Sequence, residues 1–243
     1  MLQVNSVYSG YGKLQILNGV SIEARQDQIT VIVGPNGSGK STLLKTIAGL
    51  TTIYQGQVML DGRSISNLPP HEIARTGIAY LPQTESTFTQ LTVSENFKMA
   101  GYTVDGTDFA ARLKKALEIF PKLSSYLNTK VSNLSGGERQ MVAMTMALLR
   151  KPSVIMFDEP TANLAPLLAT DVLNTISYLS RGTGITILLV EQNATRALQI
   201  GQRAYLLVNG GVLFQGTTKE LLEHKELGRL YLGLEAPKPD DAD

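Results

Sequence analysis

Residues 34–42 read GPNGSGKST, in which Gly34 is followed after four residues by Gly39, Lys40 and Ser41. This spacing, G-x-x-x-x-G-K-[ST], builds a loop whose backbone N–H groups turn inward around phosphate oxygens, where a side chain would obstruct them. A helix-compatible stretch, LLKTIAGL, leaves the loop, so a bound anion sits at a helix N-terminus. Lys40 can reach β- and γ-phosphates as a point charge, and the Ser41 hydroxyl is placed to ligate Mg²⁺. Pro35, Asn36, Gly37, Ser38 and Thr42 complete the cradle. The plainer alternative is a glycine-rich turn with a solvated lysine; the apolar run at 29–33 and the helix that follows argue against it.

A second chemical stretch is SVIMFDEP, in which Val154, Ile155, Met156 and Phe157 precede two acids, Asp158 and Glu159. Adjacent acids often mark a solvated turn. After a buried parallel strand, however, Asp158 emerges at the sheet edge where Mg²⁺ would sit, and strand alternation sends Glu159 elsewhere. One carboxylate can then hold the ion while the other polarises water, the division that phosphoryl transfer to water requires. Gln83 follows the apolar segment GIAYLP, at a strand's C-terminal end where α/β sheets bind ligands; alone it is an ordinary loop amide.

A third is NLSGGERQMVAMTMALLRKP, where Ser135 and Glu138 form a capping box at the start of a helix expected to run to Arg150 and Lys151. Capping does not explain Gly136 and Gly137, which cost roughly 1 kcal/mol each against alanine inside a helix. They leave N–H groups bare, so this terminus can also receive an anion. Tyr11 carries a ring that can stack on a base, although from the residue alone a tyrosine packed at a strand end is the favoured reading, and Tyr8 is the expected core ring.

The elements that position these residues follow from pattern. Residues 2–8 and 20–24 read as half-buried antiparallel strands joined through SGYGKLQILNG. QVMLDG reads as a further strand and LPPHEIART as a short helix begun by proline and carrying His71 on its surface. Residues 84–134 lack a buried parallel strand. Thr92 and Glu95 make another capping box, and Phe109, Leu113, Leu117 and Phe120 recur at helical spacing up to Pro121, so an inserted helical subdomain is expected whose apolar face is core or a docking surface. Beyond Glu159 come a helix at 166–180, a strand at 185–190, a helix NATRALQI, strands RAYLLV and VLFQG, and a helix KELLEHK with an exposed His224. Strands alternating with helices mean a parallel sheet.

Composition sets bounds. The 243 residues, 43% apolar, fit one α/β domain with a subdomain, and a formal charge of +1 gives no basic excess that would point to nucleic acid. Zero cysteines exclude disulfides and thiolate chemistry. The N-terminus MLQVNSVYSG lacks the regions of a signal peptide, and no run reaches the ~20 apolar residues of a bilayer span, so a cytoplasmic protein is expected.

With the phosphate loop, Gln83, LSGGE and the apolar-DE strand in this order, the chain resembles the ATP-binding subunits of ABC transporters over almost its whole length. The resemblance implies an α/β fold of the P-loop NTPase (RecA-like) type, with a parallel-sheet core, a small N-terminal antiparallel β subdomain and a helical subdomain inserted at about 84–150. The domain would span 1–235, followed by a disordered acidic tail at 236–243. It implies ATP and Mg²⁺, with the ion on Ser41, Gln83 and Asp158, and Glu159, Lys40 and Gln192 as the catalytic groups. Tyr11 resembles the adenine-stacking aromatic, residues 34–42 Walker A, Gln83 the Q-loop glutamine, Asp158 the Walker B aspartate and Glu159 the glutamate that activates water. Ser135, Gly136 and Gly137 resemble the signature that caps the ATP held by an opposite subunit, so two copies or two related chains would sandwich two ATP.

There are three departures from the family pattern, of which the last two narrow the match. Asp27 replaces a customary glycine, Ala165 occupies the D-loop aspartate position, and Gln192 stands where a switch histidine is expected, so it can donate a hydrogen bond but carry no proton. The last two, with LPPHEIARTGIAYLPQ, LTVSEN and Tyr231 beginning a terminal YLG, resemble the second ATPase of branched-chain amino-acid importers; importers of urea and short amides share them. The implied partners are membrane-spanning permease subunits, a second ATPase subunit and, indirectly, an extracytoplasmic solute-binding protein, at the cytoplasmic face of the cell membrane. A soluble ABC ATPase of DNA repair or translation would bring a second cassette or long coiled coil, and a metabolite kinase or GTPase would share only the phosphate loop.

Overall fold

The chain opens with β1 (Leu2–Tyr11) and β2 (Leu14–Ala24), an antiparallel hairpin that turns at Gly12 and Lys13 in the computed structural model, which describes residues 1–84 and 86–231. These strands reach further than alternation predicts, and Tyr11 ends β1 rather than lying in a connection. Register shifts between Val4 and Val7, Val7 and Ser9, and Ser9 and Gly10 break the period-two pattern there, which is how bulges hide strands. Tyr8 is half-buried, not a core ring. The expected domain end at 235 and the acidic tail 236–243 lie outside the described residues.

There follow β3 (Ile29–Val33), α1 (Lys40–Ile47), β4 (Thr52–Leu60), a short β5 (Arg63–Ser64), α2 (Pro70–Arg75) and β6 (Ile78–Leu81). The insertion supplies α3 (Val93–Ala100), α4 (Gly106–Ile119), two 3₁₀ turns and α5 (Gly136–Leu148), which stops before the expected Arg150. The chain continues with β7 (Val154–Asp158), α6 (Pro166–Thr183), β8 (Thr186–Val190), α7 (Ala194–Ile200), β9 (Arg203–Val208) and β10 (Gly211–Thr217). Where one last helix was expected there are two, α8 (Thr218–Glu223) and α9 (Lys225–Tyr231), because His224 takes an extended conformation between them.

Two sheets result. The smaller has the order β2-β1-β4-β5 and is antiparallel; the larger has the order β10-β9-β3-β8-β7-β6, parallel except for β10. Every residue of β3, β7 and β8 is buried, as strands covered on both faces must be. Their side chains alternate between two cores. Val31, Phe157 and Leu189 join one face, and Ile32, Met156 and Leu188 join the other with the β subdomain and α1. Phe97, Phe120, Leu123 and Leu134 of the insertion belong to the same cluster as Phe157, so the helical segment shares the sheet's core and has none of its own. Against its outer side lies an apolar groove of about 430 Å³, lined among others by Ala48, Leu50, Tyr80, Phe88, Met99 and Met146. Among the described residues no helix is long and apolar enough to cross a membrane.

Candidate functional site

β3 and α1 hold the phosphate loop between them. Gly34 has φ 147° and sits so close to β9 that a Cβ would collide with the Leu207 carbonyl oxygen, so glycine is required there. Lys40, 4% exposed, donates from Nζ to the carbonyls of Gly34 at 2.9 Å and Pro35 at 3.0 Å. Burial pulls its ammonium below the ordinary lysine range, while the charges of Glu159 and Asp158 push it back up. Ser38 Oγ is buried with no hydrogen-bond partner, and the N–H groups of the first turn of α1 have none within the helix. Those orphaned donors and the lysine cation fit a polyphosphate.

The acids converge on the same place. Ser41 Oγ donates to Asp158 Oδ1 at 2.8 Å, Tyr80 Oη donates to Asp158 Oδ2 at 2.9 Å, and Gln83 Nε2 donates to Glu159 Oε2 at 3.1 Å. Burial and the Asp158 charge push the Tyr80 phenol well above its ordinary range, so it remains a donor. Strand alternation had Glu159 pointing elsewhere; it points into the cleft. β7 stops at Asp158, and Glu159 takes a left-handed φ of 49°, with its N–H on Val190 O at 2.9 Å and its C=O accepting from Ala162 N at 3.1 Å. The turn, not the strand, aims this side chain.

A cleft of about 510 Å³ is lined by Ile16, Asn36, Gly37, Gly39, Lys40, Ser41, Thr42, Gln83, Glu159 and Gln192. Groups from the smaller sheet, the phosphate loop and the chain just past the ends of β6, β7 and β8 are thus brought together. The hydroxyl, carboxylate and amide oxygens of Ser41, Asp158 and Gln83 are hard donors that suit Mg²⁺, an ion that keeps waters and substrate phosphates as its other ligands. Among the described residues no group of three or more His, Cys, Asp or Glu forms a protein-only cage.

Other expected residues lie apart. Tyr11, 43% exposed, lines a separate shallow depression with Thr51 and Thr52 rather than the cleft itself. Ser135 caps α5 through the expected box with Glu138, whose carboxylate also pairs with Lys122 Nζ at 2.8 Å. The Lys122 hydrogen bond, followed by the Ser135 N–H, holds Glu138 at a pKa of about 2. Ser135 is exposed, whereas Gly137 is buried against Leu168. Neither the serine nor the glycines line the cleft of their own chain. His71 and His224 are exposed and do not line it either.

Asp27 takes φ 58°, the left-handed conformation expected of a glycine substitute. Ala165 occupies the N-cap of α6 without a side-chain bond, and Pro166 at the first helical position compensates in part. Sequence reasoning missed Tyr80, Glu191 and Ile16. Glu191, 2% exposed, closes β8 and accepts from Thr161 N at 3.0 Å, and burial raises its carboxyl above the usual range. A polar residue ending an apolar strand next to Gln192 was the available signal.

Known proteins resemble this chain in sequence and fold. The family model described as ABC transporter matches residues 17–162. A probable branched-chain amino acid transport ATP-binding protein LivF of Archaeoglobus fulgidus is 51% identical, the match covering 96% of this chain and 99% of that one. The high-affinity branched-chain amino acid transport ATP-binding protein BraG of Pseudomonas aeruginosa is 39% identical, over 96% of this chain and all of its own length, 100%. Among solved structures, the ADP conformation of MJ1267, an ATP-binding cassette of an ABC transporter, superimposes with a TM-score of 0.84 at 30% identity, covering 94% of this chain and 97% of that one.

Proposed function

The chain belongs to the ABC transporter family as one of its ATP-binding subunits, and from that premise we propose that it drives import of branched-chain or other hydrophobic amino acids. The observation that carries the reading is the convergence of Lys40, Ser41, Gln83, Asp158, Glu159 and Gln192 on one site, in a chain whose full-length relatives carry that transport assignment.

In this reading the loop N–H groups and Lys40 bind the β- and γ-phosphates of ATP. Ser41, Asp158 and Gln83 would hold Mg²⁺, which when bound neutralises charge on those phosphates. Glu159 accepts a proton from a water whose oxygen attacks the γ-phosphorus; the bond to the β–γ bridging oxygen breaks, and ADP leaves with that oxygen. Gln192 contacts the γ-phosphate by hydrogen bonding alone. Tyr11 would stack on adenine. Ser135, Gly136 and Gly137 would cap the ATP of an opposite subunit, in keeping with their absence from the lining of their own chain's cleft.

Membrane-spanning permease chains are the proposed partners, on the cytoplasmic face. The apolar groove beside the insertion supports docking there, with Leu50, Phe88 and Met99 each about half exposed. A long coiled coil of the DNA-repair type is absent among the described residues, whose longest helix is the 18-residue α6. The test is purification of tagged protein from detergent-solubilised membranes with mass spectrometry of what accompanies it. Two permease chains and a second ATPase are expected, together with loss of leucine uptake when the chain is deleted; ribosomal or DNA-repair proteins instead would overturn the transport reading.

A further inference from the structure

Asp158 has both carboxylate oxygens engaged, by two hydroxyls of different standing. On Oδ1 is Ser41, at 2.8 Å, itself a proposed cation ligand that can exchange this bond for the ion. On Oδ2 is Tyr80, at 2.9 Å, a phenol with no other hydrogen bond among the described residues. We propose that Tyr80 is a positioning residue for the divalent cation: its hydroxyl fixes the rotation of the Asp158 carboxylate so that Oδ1 faces the site of the ion.

Strand register explains why a tyrosine serves. In the parallel pair β6–β7, Tyr80 lies opposite Met156, so its side chain shares the sheet face of Met156 and, two residues on, of Asp158. The ring extends from that position toward the C-terminal edge of the sheet and delivers its oxygen to the carboxylate. Its body is held by apolar neighbours of the β-subdomain core, and its outer side lines the groove beside the helical insertion. Phenylalanine would fill the same space and donate nothing. Outer hydrogen bonds to a ligating carboxylate are worth roughly 10–100-fold in metal affinity.

The proposal rests on Asp158 holding the ion, and the experiment separates the two. Full-length wild type, Tyr80→Phe and Asp158→Asn are titrated with Mn²⁺ in the presence of a non-hydrolysable ATP analogue, read by electron paramagnetic resonance. Affinity for the analogue is measured in parallel in EDTA. Tyr80→Phe is expected to weaken Mn²⁺ binding about 10-fold with analogue affinity in EDTA unchanged, and to raise the Mg²⁺ concentration for half-maximal ATPase by a similar factor while kcat recovers at saturating Mg²⁺. Equal Mn²⁺ affinity in wild type and Tyr80→Phe, with Asp158→Asn weakened, overturns the role of Tyr80 and leaves that of Asp158 standing. Equal affinity in all three overturns both. Loss of analogue binding by Tyr80→Phe in EDTA also overturns the proposal, because the hydroxyl would then be holding the fold and not the carboxylate.

Discussion

Gln83 and Glu159 are 76 positions apart in the chain and meet at the cleft, Gln83 Nε2 donating to Glu159 Oε2 at 3.1 Å. One stands where the chain leaves β6 for the helical insertion; the other stands where it leaves β7. This bond ties the start of the helical insertion to the acid proposed to activate water.

Glu159→Gln keeps the volume and can still accept from Gln83, but it cannot take a proton. ATP binding is expected to persist while hydrolysis slows by ~10²-fold or more, by analogy with loss of one transition-state group. Nucleotide binding by fluorescence and steady-state phosphate release check this; unchanged turnover would remove the assigned role.

Gln192 lines the cleft and is exposed. Gln192→His retains a donor and should preserve or raise the ATPase rate, whereas Gln192→Ala should lower it. Equal rates in all three forms would make the residue a spectator.

Gly136 separates packing from chemistry. A Cβ there would come within 2.7 Å of Leu164 Cδ2, the end of a flexible side chain that can yield, and Gly136 has no positive φ that would exclude alanine. Gly136→Ala should therefore melt within a few degrees of wild type and bind ATP, yet lose about 10-fold or more in hydrolysis if this terminus caps a second subunit's ATP. A large fall in melting temperature with lost binding would instead assign the glycine to the fold.

Glu138 gives a pH signature. Its folded carboxyl has a pKa of about 2 against an ordinary 4.5, so its stabilisation is complete above pH 4.5 and is lost as pH falls from there toward about 2. In thermal melts, the stability advantage of wild type over Glu138→Gln should be constant from neutral pH to about 5 and shrink across that acid window. High salt should reduce it too, because Lys122, the partner, is largely exposed. An advantage that grows on acidification would contradict the assigned ion pair and cap.

The phosphate loop, the two capping boxes and the apolar strand before Asp158 were legible because each is local: spacing within a few residues dictates the geometry. Tyr80 was not, since its partner is 78 positions away and only the pairing of β6 with β7 brings the two together. Glu159 was misdirected because alternation presumes that the strand continues, and the left-handed turn at φ 49° ends it. The β1–β2 hairpin was underestimated because bulges scramble its pattern. The shared core of sheet and insertion needed residues as far apart in sequence as Phe97 and Phe157 to join one cluster, which no window along the chain contains.

The order of the larger sheet has a consequence for biosynthesis. Strand β3, which carries the phosphate loop, is flanked by β8 and β9, although residues 186–208 leave the ribosome long after residue 42. An emerging chain thus displays the complete loop sequence with neither neighbouring strand to brace it, and Gly34 lacks the Leu207 carbonyl against which it closes. The nucleotide site is accordingly a late product of translation, and until β9 arrives the apolar strand β3 has bare edges that must be kept from other chains.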